Sequence, residues 1–348
     1  MNFGVTQLPR QMLTSFDNRI SPVTSMVGLL VARCLVFATI AVDVTSESRF
    51  SQIAEKAESV WEPISVLGIL RSPAPASWVI GLLMAVAVVG SVSTLLGLCS
   101  RLAAAFAATA YTFLVLALNS FGKIDHDRNV LIIAVWILVF APAVDLRGRP
   151  QPASTSYGWP VQMIRLSIGL MFLAAAWAKV RLGQGGEWVF GPNIRNVLAS
   201  EVLIYETPDL RTPPLSSTAL WIADRPWAWK TAALGALAGE FSLIFAVFST
   251  RVFIRRAATI LGLGTMCGIT LLMGMVSFPI LALAAIFVTV GDPTEGRLSR
   301  LTTLALIYGV LGAVMVVQKS SMWPVVPLVV AWLSILRFAK ISSPPKTV

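Results

Sequence analysis

The chain has 348 residues, 56% of them hydrophobic and 13% charged, with a formal net charge of +10. Soluble domains carry about 25% charged residues. The deficit, with repeated apolar runs of about 20 residues, excludes an ordinary soluble protein and predicts an all-α, polytopic membrane helix bundle. The runs lack the short alternating strands of a membrane β-barrel. The basic residues are dispersed between spans, which is positive-inside bias rather than a nucleic-acid footprint, so no nucleic acid is expected as partner.

Residues 1–21 lack the apolar core of a cleavable signal and are expected to form a cytoplasmic segment before a first span at about 22–42. Residues 43–77 are polar. Within them Phe50, Ile53, Ala57, Val60 and Trp61 recur at helical spacing, which predicts a helix over about 47–70. It lies either along the membrane surface or packed outside the membrane. Arg71-Ser-Pro-Ala-Pro75 ends it. Spans 2 and 3 are expected at about 77–98 and 102–120, joined tightly at Arg101, span 4 at about 129–144 and span 5 at about 159–179.

Residues 181–228 form the longest polar connection, with a short helix expected after Gly191-Pro-Asn193. Span 6 covers about 229–249 and is closed by Arg251, Arg255 and Arg256. Ala257 to Gly291 holds no charge and is too long for one span, so two are expected, broken near Pro279. Two more spans fall within 292–340, before a tail at 341–348, giving about ten membrane segments. Arg101, Arg147, Arg149 and the Arg251–Arg256 cluster then lie on one side. That places both termini in the cytoplasm, the chain in the plasma membrane, and Lys179, His126 and the 181–228 connection on the outer face.

Arg33, Arg165 and Glu240 fall inside spans, where an unpaired charge is costly. Glu240 follows Ala236-Leu-Ala-Gly239, which permits close helix packing, and is expected to pair with Arg165 or Arg33. Such a pair either fixes helix register or orients a substrate. His126, the only histidine, sits in a compact polar segment, where Asp125 or Asp127 could set its tautomer; it is either ordinary surface or a proton-transfer group. Lys179 ends an apolar run and is either an anchor that snorkels to the interface or a buried amine able to act as a base. Glu187 and Trp188 would line the mouth of its pocket. Of the three cysteines, Cys34, Cys99 and Cys267, none forms a redox or zinc pattern. Cys267, in Gly264-Thr-Met-Cys-Gly268, is expected to pack in the core. No metal ligand set is expected.

Three segments carry a family resemblance. Phe121-Gly-Lys-Ile-Asp-His-Asp-Arg-Asn-Val-Leu131 resembles the histidine motif of the horizontally transferred transmembrane (HTTM) domain family, which includes the membrane part of vitamin K-dependent gamma-glutamyl carboxylase. Phe172-Leu-Ala-Ala-Ala-Trp-Ala-Lys-Val-Arg181, followed by Glu187-Trp-Val-Phe-Gly191, resembles its lysine motif, and Gly268 to Pro279 its later helix. The matches keep the family order over roughly 20–290. The resemblance implies that Lys179 is a base toward a reduced quinone and that His126 supports the site by hydrogen bonding. It also implies that a quinone or hydroquinone is the candidate cofactor or substrate. Two departures argue against gamma-glutamyl carboxylation. Cys267 stands where relatives commonly carry a histidine, and no large extramembrane region is expected after the last span. The expectation is therefore an enzyme acting on a lipophilic, quinone-like substrate. The alternative is a non-enzymatic transporter or a partner of another membrane or extracytoplasmic protein. Either way, lipid or another apolar small molecule is the expected contact.

Overall fold

The computed structural model describes residues 22–24, 26–46, 48–55, 58–98, 100–122, 126–143, 152–182, 186–205, 215–249, 251–273 and 287. The expected N-terminal segment, Cys99, Asp125, the break near Pro279, the two spans within 292–340 and the tail lie outside them. The described residues are helical, apart from turns and one isolated bridge between Thr24 and Ser154. The chain divides into two compact units, residues 1–164 with 289–348, and residues 165–288.

Unit 1 contains α1 (Met26–Ser46), α2 (Ser77–Leu95), α3 (Ser100–Asn119), α4 (His126–Phe140) and the first part of α5 (Thr155–Leu182). α1 is apolar around its circumference and buried along nearly its whole length, as a central helix must be. α2 and α3 pack closely because Gly90 has no side chain: a Cβ there would lie 2.8 Å from the Ala103 carbonyl and 3.0 Å from the Ala107 nitrogen. Paired backbone bonds between Thr24 and Ser154, at 3.0 and 3.1 Å, tie the start of α1 to the start of α5.

The helix expected over 47–70 is corrected. The segment is four short turns, Ser48–Ser51, Gln52–Glu55, Glu58–Val60 and Ser65–Ile69. Phe50 and Ile53 are buried as the spacing implied, but Val60 is exposed. Pro63 cannot donate a backbone bond. The neighbouring amides of Glu62 and Ile64 are taken by the carbonyl (2.9 Å) and hydroxyl (3.2 Å) of Ser120, at the end of α3. Ser65 then adopts φ 51°, which ends any continuous helix. The segment packs onto the end of α3, with Trp61 against Phe121 at 5.1 Å between ring centroids.

Unit 2 contains the rest of α5, α6 (Glu187–Phe190), α7 (Asn193–Tyr205), α8 (Ser216–Ala223), α9 (Pro226–Phe248) and α10 (Val252–Met273). The connection that reads as polar in sequence therefore holds three helices. They share an apolar cluster of Val189, Ile194, Leu198, Ala219 and Ala223 with Trp229 and Ala233 of α9. Pro226 starts α9, where its missing N–H costs nothing. α9 and α10 meet along a seam of small residues. A Cβ on Gly239 would lie 2.8 Å from the Thr265 Cβ and 3.0 Å from the Leu261 carbonyl, and the Ser242 hydroxyl lies 2.9 Å from the Ala258 carbonyl. Cys267 is a correction. The seam runs through Ala258, Gly262 and Thr265, and Cys267 falls off that face and is exposed.

Among the described residues five helices are long and apolar enough to cross a membrane: Gly28–Thr45, Ser77–Leu95, Arg101–Asn119, Thr155–Leu182 and Pro226–Phe248. α4 is a shorter apolar helix. The expected spans 1, 2, 3, 5 and 6 correspond to these five within a few residues at each end.

Gly239→Val should force α9 from α10 and cost about 1–3 kcal/mol, as overpacking does. Gly264→Ala, where a Cβ meets nothing within 4 Å, should leave the melting temperature in detergent unchanged or slightly raised. Equal melting temperatures for the two variants would show that the seam does not hold the helices together.

Candidate functional site

Lys179 lies in the last turn of α5 and Glu240 near the middle of α9. A snorkelling lysine carries its ammonium outward to the interface. Here the side chain reaches across to α9, and Nζ donates to both Glu240 oxygens, at 2.5 and 2.6 Å. The ring of Trp188 in α6 stands 5.3 Å from the same nitrogen, a cation–π distance. Trp188 in turn packs against the apolar cluster of α6–α9. Glu240 is 4% exposed and Lys179 27%, so the pair is closed on the carboxylate side and open on the amine side.

The local sequence explains this placement. Gly239, next to Glu240, lets α10 approach α9 at the level of the pair. Gly169 lies against Ile244 and Val247 of α9, at 3.4 Å from a built Cβ to each side chain, so α5 and α9 are neighbours below the pair. The expected pairing of Glu240 with an arginine is corrected: its salt bridge is with Lys179. Arg165 is buried in α5, with Nη2 donating to the Ala246 carbonyl at 3.4 Å and the guanidinium 5.0 Å from the Phe287 ring. Arg33, in unit 1, directs Nη2 to the carbonyls of Leu138 (3.0 Å), Ala141 (3.3 Å) and Pro142 (3.0 Å), the uncapped end of α4.

Of the other sequence candidates, Trp188 joins the site. Glu187 is exposed one residue before it, and its carbonyl accepts bonds from Gly191 N and Asn193 Nδ2. Cys267 sits on the exposed side of α10. His126 and Asp127 open α4, and their side chains lie outside the described residues, as does all of Asp125.

Unit 1 holds a second intramembrane ion pair that the sequence reading missed. Arg128 in α4 donates from Nε and Nη2 to Asp43 in α1, at 3.0 and 2.9 Å, a two-point contact. The Tyr111 hydroxyl of α3 donates to the same carboxylate at 2.8 Å, and Phe50 covers the guanidinium at 5.5 Å. Arg128 is 1% exposed and Asp43 0%. The signal was present: each charge falls just beyond an assigned span end, one acidic and one basic. With the Arg33 contact, α1 and α4 are pinned at two points about 15 Å apart along each helix at 1.5 Å per residue. The two pairs thus differ in kind. The pair in unit 1 is sealed and fully bonded, so it acts as a staple. The pair in unit 2 has an open side and a group able to take or give a proton.

Among the described residues no three histidine, cysteine, aspartate or glutamate side chains gather as a metal site. The model of the HTTM domain family matches residues 22–291. No curated protein and no solved structure matches the chain.

Removing one partner of the sealed pair should unfold the protein more readily than removing one partner of the open pair. Arg128→Met leaves a buried aspartate and should cost about 3–5 kcal/mol. Tyr111→Phe removes one bond to a charged group, about 1.5–3 kcal/mol. Lys179→Met should lower the melting temperature less than Arg128→Met, because the lysine side of the pair is already 27% exposed while Arg128 is 1% exposed. Thermal unfolding in detergent checks this order, and a larger loss for Lys179→Met would reverse the assignment of staple and site.

Proposed function

From the chain's membership of the HTTM domain family, to which it belongs, and from the geometry at Lys179, we propose a membrane enzyme acting on a lipophilic, quinone-like substrate. Lys179 is its proton acceptor and Glu240 the counter-charge. The observation that carries the reading is the inward reach of Lys179 to a buried carboxylate beside an aromatic ring. An interface anchor has no use for that arrangement. A base for a lipid-soluble acid needs it, because the amine must be freed in apolar surroundings by a neighbour that takes its proton without leaving net charge there.

The proton bookkeeping is simple. At rest the pair is ammonium and carboxylate. Transfer of one proton from Nζ to a Glu240 oxygen gives a neutral amine and a carboxylic acid, with no net charge created in the hydrocarbon. The amine then takes the proton of a substrate hydroxyl. That leaves an ammonium beside the substrate oxyanion, while Glu240 keeps its proton. Trp188 presents a flat apolar face for a ring at the open side. His126 keeps the hydrogen-bonding role that the family likeness implies.

Gamma-glutamyl carboxylation is not part of this reading, since Cys267 occupies the family's common histidine position and is exposed. The ten-span topology, the plasma membrane location and the cytoplasmic termini belong to the same proposal. They rest on the alternation of spans read from the sequence, which assigns the connections carrying Arg101, Arg147, Arg149 and the Arg251–Arg256 cluster to one side.

The experiment is titration of the purified protein with a reduced naphthoquinone, read by the absorbance of its anion and by native mass spectrometry. Wild type should bind the probe and stabilise the anion. Lys179→Ala should bind the probe without forming its anion. Lys179→Arg should fail as well, because a guanidinium does not release its proton. Glu240→Gln should bind the probe with altered anion yield. Anion formation unchanged in Lys179→Ala would defeat the enzyme reading. Movement of an unaltered solute across vesicles, dependent on Lys179, would instead favour a transporter.

A further inference from the structure

The corner between α8 and α9 carries a compact group of exposed aromatic and half-buried basic side chains. Trp221 and Trp227 stand edge to face, 5.7 Å apart at 87°, and are 45% and 64% exposed. The Arg225 guanidinium lies 4.3 Å over the Trp221 ring, and its Nη1 donates to the Trp221 carbonyl at 3.0 Å. Lys230 extends beside Trp229, one turn into α9. Leu215 and Leu220 are exposed on the same short helix region. Asp224 is the acidic group at the corner, and it is exposed to solvent.

A soluble surface has no reason to hold two exposed tryptophans against a stacked arginine. An interface between hydrocarbon and water does: each indole has an apolar body and one polar edge, and the guanidinium offers donors to phosphate. The length of α9 supports the same location. Its 23 residues span about 34 Å at 1.5 Å per residue. That matches the hydrocarbon core of about 30 Å. One end is this corner, and the other is followed by Arg251, Arg255 and Arg256. An apolar helix with basic groups at both ends and tryptophans at one fixes its own depth.

We infer that the Trp221–Arg225–Trp227 corner is a phospholipid-binding anchor, with Arg225 on a lipid phosphate and the two indoles among the glycerol esters and upper acyl chains. The anchor sets the depth of unit 2 and places Glu240 roughly 20 Å along α9 below the corner, inside the hydrocarbon. It stands whether or not Lys179 takes a proton. Its occupant is a lipid head group of the leaflet at the start of α9, the end towards which α5 runs: Arg165 meets Ala246, Gly169 meets Ile244 and Val247, and Lys179 meets Glu240.

The test labels a single cysteine at Asp224→Cys with an environment-sensitive fluorophore, in the full chain with Cys34, Cys99 and Cys267 replaced by alanine. The protein is reconstituted in phosphatidylcholine vesicles with and without phosphatidylglycerol. Quenching is compared for nitroxide on the lipid head group, nitroxide deep on the acyl chain, and aqueous iodide. Head-group nitroxide should quench several-fold more than either other quencher, and Trp227→Ala or Arg225→Gln should shift quenching toward iodide. Dominant iodide quenching would place the corner in water, and protection from all three would mean another protein covers it; either result overturns the anchor. Native mass spectrometry of the otherwise unaltered chain guards against misfolding of the cysteine-free form. Retained phospholipid should fall several-fold in Arg225→Gln, and equal retention would also count against the anchor.

Discussion

A charge inside a bilayer has to find its partners within the protein, a counter-charge or a backbone carbonyl, and this requirement organises both units. Water is not present to solvate an isolated carboxylate or ammonium, so the cost of leaving either alone is several kcal/mol. Asp43 meets it with Arg128 and Tyr111, and Glu240 meets it with Lys179. Each contact joins helices distant in sequence, so each fixes which helices are neighbours. Apolar packing alone discriminates weakly in lipid, because the surrounding tails are as apolar as the helix faces.

Small residues set the spacing of the helices that flank these charge contacts. Gly90 lets α3 approach α2, and Gly239 lets α10 approach α9 directly beside Glu240. The glycine seams and the charge contacts join different helix pairs, so each holds contacts that the other does not. Arg33 completes the scheme by supplying the open carbonyls at the end of α4, where no further helical N–H follows.

The sequence exposes the class of the molecule and the individual charged positions, but not their partners. Span positions follow from runs of apolar residues, which survive in any arrangement, and five of them coincide with long apolar helices. Glu240 was identifiable as a buried charge, yet its partner was expected to be an arginine. The choice depends on which helices touch, and a single chain does not encode that locally. Asp43 and Arg128 escaped notice because each was assigned one residue outside a span, where a charge is unremarkable. The helix expected over 47–70 failed for another reason. Its apolar spacing was real, and Phe50 and Ile53 are buried, but Pro63 and the Ser120 hydroxyl break the backbone pattern. His126 and Asp127 open α4 with side chains beyond the described residues, so their part in the site rests on the motif.

Exposure separates the two ion pairs in what they can do. Proton transfer within either pair would neutralise it, and the resulting acid and base need no further solvation. In the Asp43–Arg128 pair that route is closed, since a guanidinium holds its proton at any physiological pH. A lysine ammonium, unlike a guanidinium, can give up its proton to a neighbouring base. Only the pair containing lysine therefore offers a reversible neutral state, and it is also the pair with an open side. The identity of the cation and its exposure point the same way. The arginine pair suits permanent closure, and the lysine pair is the one that the proposed proton transfer requires.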